Sequence, residues 1–191
     1  MIIGNPSIFA IESGITQAYE SLGSRALGFF VIHVGCLRYG ANDPDATMMA
    51  VAFDNVVERI TRRGKHTAPF AEKMGAGTIA DAYRQAVYAD EQEESYLGIP
   101  LAEFCSLLRS NEIVWAPDGE EGFDDRSNVL QFDVDDFVRI VAFKAADRYV
   151  HDPTTLRDIR VPSDEFYGVL QQWHDAFKAE WESSPKVADS T

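Results

Sequence analysis

With 191 residues, 46% of them hydrophobic and 25% charged, the chain has the composition of a globular protein able to bury a core without staples, which excludes disordered and fibrous classes. The formal net charge is -14, and residues 90–136 hold 14 acidic side chains against Arg109 and Arg126 alone, while residues 1–89 balance to zero. Such a segment repels nucleic-acid phosphates and anionic lipid headgroups, so neither nucleic acid nor membrane is expected as its partner.

Met1 to Ile15 has no basic stretch and carries Glu12, and no run reaches the roughly 18 apolar residues of a membrane span, so no secretion signal or span is expected. Ile8–Ile11, Leu27–Val34 and the shorter Cys36–Tyr39 run are rich in β-formers. The turn-dense stretch Gly40 to Asp45 connects them to another strand within Thr47–Phe53, and an antiparallel meander is the simplest product. Asp54 is placed to cap a helix carrying Val56, Val57 and Ile60 that Gly64 ends. Thr78 and Asp81 form a capping box before Ile79, Ala82, Tyr83, Ala86 and Val87, whose spacing traces one helical face. Pro100 at a first helical position precedes Leu101, Phe104, Cys105 and Leu108, again on one stripe.

Glu112–Trp115 reads as a strand, and Pro117-Asp118-Gly119 as a turn opening a loop to about Ser127. Leu130, Phe132 and Val134 alternate with Gln131 and Asp133, which predicts a strand with one buried and one wet face. The nearly wholly apolar Phe137–Phe143 follows across Asp135-Asp136, making a hairpin, and Leu156–Val161 is a candidate third strand. Ser163, Asp164 and Glu165 open a long amphipathic helix bearing Phe166, Val169, Leu170, Trp173, Phe177 and Trp181 on one stripe. The expected fold is α+β: antiparallel sheets from an N-terminal meander and a C-terminal hairpin, packed with about four helices. Residues 1–182 are expected to form one domain and residues 183–191 a polar, frayed tail.

Searches for chemistry by spacing find little. Gly75-Ala76-Gly77-Thr78 lacks the lysine of a phosphate loop, and His33, His66, His151 and His174 form no short-spaced ligand pair. Cys36 and Cys105 are too far apart in sequence for a redox or zinc pair and are expected as small core hydrophobes in a reducing compartment. No cofactor is implied. The loop Asp118-Gly119-Glu120-Glu121-Gly122-Phe123-Asp124-Asp125 is open to three readings: a solvated face, a hard-cation site, or a protein-docking loop. The docking reading takes Asp118, Glu120, Glu121, Asp124 and Asp125 as the charged rim and Trp115 and Phe123 as aromatic anchors.

Ile2-Ile3-Gly4-Asn5-Pro6, then Phe9-Ala10-Ile11-Glu12 and Gly28-Phe29-Phe30, resemble the opening of the immunity protein 42 family of bacterial polymorphic toxin systems. Asn128 to Phe143 and Asp164 to Trp181 are similar to C-terminal parts of its relatives. The resemblance implies a cytoplasmic, non-enzymatic antidote that binds a cognate toxin stoichiometrically, and Gly4, Phe9 and Glu12 would be structural members of the pattern. With the charge distribution, this gives an acidic inhibitor whose partner is a toxin domain with a basic surface. Two rivals remain at this level. One is a metal-dependent hydrolase using carboxylates among Asp118, Glu120, Asp124, Asp125, Asp133 and Asp135; the other is a small-molecule module, which requires a deep apolar pocket.

Overall fold

A computed structural model describes residues 1–116 and 121–188. The chain begins with β1 (Ile2–Asn5), β2 (Phe9–Tyr19), β3 (Ala26–Val34), β4 (Leu37–Tyr39) and β5 (Thr47–Met48), then α1 (Met49–Thr61) and α2 (Ala76–Tyr88). A small hairpin, β6 (Ser95–Tyr96) and β7 (Ile99–Pro100), leads into α3 (Leu101–Ser110) and β8 (Val114–Ala116). After a 3-10 turn at Glu121–Phe123 come β9 (Ser127–Val134), β10 (Phe137–Lys144), β11 (Arg157–Pro162), α4 (Ser163–Ser183) and β12 (Lys186–Val187).

β2, β3 and β4 fall on the expected runs and form an antiparallel meander with β1, which was not expected; β2 and β3 are paired from Phe9 opposite Val34 to Ala18 opposite Ala26. Two further features differ from the expectation. β5 is only two residues long and joins β3, and Lys186–Val187, assigned at sequence level to the frayed tail, run parallel to β2 as β12. Cys36 sits with Gly35 in the tight β3–β4 turn, both at positive φ, and is exposed instead of buried; Cys105 is half-buried. A two-residue turn of this hand faces solvent at the hairpin end, whatever its side chain.

The second sheet has the order β11-β10-β9-β8, all antiparallel. One face, carrying Val129, Val138, Ile140 and Ala142, joins a core with the first sheet, α1 and α4; the other, carrying Leu130, Phe132, Val141 and Phe143, joins a core with α2 and α3. β10 therefore reads as nearly continuous apolar sequence because both its faces are covered. The expected wet face of β9 does not exist at Gln131, which is fully buried. α4 clamps the first core: Trp173 meets Phe30 edge-on at 5.1 Å and stacks on Phe177 at 5.2 Å, and its indole N–H donates to Ser13 Oγ at 2.9 Å. Trp181 is also engaged, donating to the Tyr19 and Arg25 carbonyls at 3.2 and 2.7 Å.

Both expected caps are interior residues. α1 begins at Met49, directly after β5, so Asp54 lies one turn inside it and pairs with Arg25 at 3.0 Å. α2 begins after Gly75, so Thr78, the expected cap, lies inside it, and its box partner Asp81 accepts from the His151 backbone N–H at 2.9 Å and lies 2.6 Å from His151 Nδ1. Pro100 is the residue preceding α3 instead of its first. For α1 and α2 burial of the apolar stripe places the helix, and the acidic residue is taken by a distant partner.

Gly28 stands opposite Ile15 in the β2–β3 ladder, and a Cβ there would lie 2.0 Å from the carbonyl oxygen of the adjacent Gly14. Because that neighbour is backbone, Gly28→Ala must part the strands. We expect a loss of roughly 1–3 kcal/mol in urea unfolding, and wild-type stability would show that the ladder yields there.

Candidate functional site

The loop between β8 and β9 contributes less free charge than its sequence suggests. Asp118 and Glu120 lie outside the described residues. The Glu121 carboxylate accepts from Thr47 Oγ1 and the Met48 backbone N–H, each at 3.4 Å, placing a negative charge at the start of α1 where the helix dipole favours it. Asp125 accepts from the Ser127 backbone N–H at 3.1 Å and pairs with Lys144 Nζ at 2.6 Å. Asp124 is exposed.

The two aromatic residues expected as anchors are core residues. Trp115 is 2% exposed, with its ring 6.0 Å from both Phe9 and Phe166, and Phe123 is 6% exposed, edge-on to Phe30 at 6.4 Å. They hold the roots of the loop in the first core. Neither can meet a partner without unpacking.

The remaining carboxylates of the acidic segment fall elsewhere. Asp133, Asp135 and Asp136 stand at the opposite end of β9 from Glu121–Asp125, about 23 Å away by strand rise. With Asp164, Arg63 and Tyr167 they line a cleft of about 390 Å³. A third group, Asp90 to Glu94, follows α2. The linear run is thus divided among at least three places on the fold, with Glu103 on α3 and Glu112 beyond its end lying apart from all of them.

Asp133 belongs to a buried polar network that no spacing rule signals. Arg59, on α1, donates to the Glu112 and Val114 carbonyls at 3.1 and 2.9 Å and to Gln131 Oε1 at 3.0 Å, with its guanidinium over the Trp115 ring. Gln131 Nε2 donates to the Tyr167 hydroxyl at 2.9 Å, and that hydroxyl donates to Asp133 at 2.8 Å. Asp133 also accepts the His66 backbone N–H at 3.1 Å. Burial lowers Arg59 to about 9, still protonated at neutral pH, and burial with the adjacent Asp133 raises Tyr167 above the ordinary phenol value. His66 Nδ1 faces the Asn111 carbonyl at 3.0 Å; a carbonyl only accepts, so this nitrogen carries the proton and Nε2 is left bare. Burial, then the Arg59 charge, lowers the His66 pKa.

Beyond these, α2 and α3 leave between them an open, mainly apolar groove of about 570 Å³ that reaches β8. Among the described residues no three His, Cys, Asp or Glu side chains gather as a metal site. Asp124, Asp125, Asp133 and Asp135, four of the carboxylates the hydrolase reading needs, are split between the two ends of β9. No described helix is long and apolar enough to cross a membrane.

The model of the family described as immunity protein 42 matches residues 1–176, nearly the whole chain. The chain belongs to the immunity protein 42 family. Its function is therefore immunity against a toxin. No curated protein matches it. Among solved structures it is similar to the crystal structure of CdiI from Burkholderia dolosa AUO158, with a TM-score of 0.55 at 12% identity over 92% of this chain and 99% of that one. At that identity the likeness concerns the fold. In this family member the N-terminal pattern that suggested the family does structural work. Phe9 and Phe30 are in the first core, the Glu12 carboxylate accepts from His33 Nε2 across β2–β3 at 2.8 Å, and a Cβ on Gly4, at φ +99°, would lie 2.6 Å from the Phe9 carbonyl.

Because His66 is buried neutral, the unfolded chain takes up its proton at higher pH than the folded chain does. The stability this group contributes is complete above its ordinary value of 6.5 and is lost as the pH falls below that toward the depressed folded value. We expect the urea midpoint to decline from pH 7 to about 5, and less steeply in His66→Gln. An equal slope in the variant would assign the acid sensitivity to other groups.

Proposed function

We propose that this immunity protein neutralises its cognate toxin in the cytoplasm by binding it one to one, without catalysis, and that the toxin presents a basic surface. Family membership supports the antidote role, and the observation that carries the binding chemistry is the net charge of -14. Toxins that act on nucleic acids surround their clefts with Lys and Arg, so an acidic protein can occupy such a cleft by mimicking phosphate charge.

In this reading the loop before β9 steers the encounter. Asp118, Glu120 and Asp124 are its steering charges; Glu121 and Asp125 add to the field while also holding α1 and Lys144, and Trp115 and Phe123 fix the loop's roots. Clustered charge accelerates capture and acts less on the lifetime of the complex.

The triple variant Asp118→Asn, Glu120→Gln, Asp124→Asn spares Glu121 and Asp125, which hold the start of α1 and Lys144. Stopped-flow mixing with the cognate toxin domain should show association slowed about tenfold at low ionic strength, with a flatter salt dependence. Association at the wild-type rate in low salt would place the interface away from this loop.

A further inference from the structure

The helical spacing of α2 puts Val87 on the stripe with Ile79, Tyr83 and Ala86, yet Val87 is 44% exposed while those three are buried. It stands at the mouth of the groove between α2 and α3, whose walls also include Ala86, Tyr88, Cys105, Leu108 and Val114. Leu101 and Cys105 are only half-buried on the facing stripe of α3. The apolar periodicity of both helices thus continues past the edge of the second core onto open surface.

The rim of this groove is acidic. Gln92, which lines it and donates to the Ala86 carbonyl at 2.8 Å, is flanked by Asp90, Glu91, Glu93 and Glu94, and the chain has no Lys or Arg between Arg84 and Arg109. Glu91, Glu93 and Glu94 form no ion pair with the described residues. At the β8 end Glu112 lines the groove, shared by Arg62 at 2.5 Å and by Glu58, whose carboxyl is pushed up by its hydrogen bond to Glu112 and by that residue's charge. Arg109 in the wall and Arg62 offset part of this charge, and carboxylates still outnumber them.

We propose that the α2–α3 groove is the anchoring site for the toxin, and that it takes an amphipathic segment whose apolar side chains seat on Val87, Cys105 and Val114 while its Lys and Arg reach the carboxylates on the rim. The proposal rests on the one-to-one binding proposed above and adds where the complex is held. Charge complementarity selects this occupant over a second copy of the chain, since a two-fold contact would set the same acidic rim against itself.

The test uses the full chain and its cognate toxin domain. Val87→Asp places a charge at an already exposed position, so folding should survive, as checked by circular dichroism and thermal melting. The toxin should bind this variant at least about tenfold more weakly, chiefly through faster dissociation. Leu22→Asp, on the β2–β3 turn and 62% exposed, should bind like wild type. Independently, in a Cys36→Ser background, saturating toxin should slow N-ethylmaleimide modification of Cys105. Wild-type affinity of a folded Val87→Asp chain, or an unprotected Cys105 in the toxin complex, overturns the groove while leaving the one-to-one complex intact. If Val87→Asp does not fold, protection of Cys105 decides. Failure of the wild-type chain to form any complex overturns the functional reading itself, and self-association abolished by Val87→Asp with toxin binding unchanged assigns the groove to a second copy.

Discussion

The central strands β9 and β10 have almost no solvent face, and most of what distinguishes this molecule follows from that. β10 lies between β9 and β11 with the first sheet, α1 and α4 against one side and α2 and α3 against the other. Polar side chains on these strands must then find partners inside the protein, because an unpaired buried group costs about 1–3 kcal/mol. Gln131 and Asp133 answer to Arg59, Tyr167 and His66 on the first face, and Arg139 on the second reaches the Ala71 and Met74 carbonyls and both oxygens of Asp158. These bonds tie α1, α4 and the segment leading to α2 to a single sheet. Removing one partner strands the others, at a cost on the order of 3–5 kcal/mol where a charge is left uncompensated.

That constraint also sets what could be read from sequence. Period-3.6 stripes located α2, α3 and α4, and β-rich runs located β2, β3, β9 and β10, because burial of an apolar face is written locally. Capping residues misled: Asp54 and Asp81 fit local rules, but each had a distant basic or imidazole partner, Arg25 or His151, that outweighs a cap. Gln131 looked wet because alternation reports one face only, and nothing local signals that α1 brings a guanidinium to the other. Trp115 and Phe123 looked like anchors for the reason that makes them core: large apolar side chains beside an acidic loop fit either place, and only the packing around Phe9, Phe30 and Phe166 distinguishes them. The groove was half legible. Val87 and Cys105 were placed on their stripes correctly, but the stripe does not say where the core ends.

Net charge in a linear segment and charge on a surface are different quantities here. Glu121 is used at the start of α1, Asp125 on Lys144, Glu112 on Arg62, and Asp133 inside the buried network. The Debye length is about 8 Å at physiological ionic strength. Groups separated by the length of β9 therefore cannot act as one patch on a partner in contact, although at longer range and lower salt they still sum to an attractive field. The folded chain offers a diffuse negative field with local concentrations, in place of the single acidic face that residues 90–136 suggest.

A diffuse field suits approach and does not suit retention. Exposed ion pairs contribute about 0–1 kcal/mol each, whereas nanomolar affinity requires roughly 12 kcal/mol beyond the entropic cost of association. An antidote must both reach its toxin before damage accumulates and remain on it, so the two demands fall on different chemistry. Carboxylates free of internal partners raise the encounter rate; apolar surface already opened by the fold supplies the lifetime, because burying it costs no hydrogen bonds. With Trp115 and Phe123 both committed to holding the protein together, the aromatic residues that sequence offers as anchors are taken up by the core. The apolar wall along α2 and α3, left uncovered beside Glu91, Glu93 and Glu94, which pair with no cation among the described residues, then has the chemistry that retention requires.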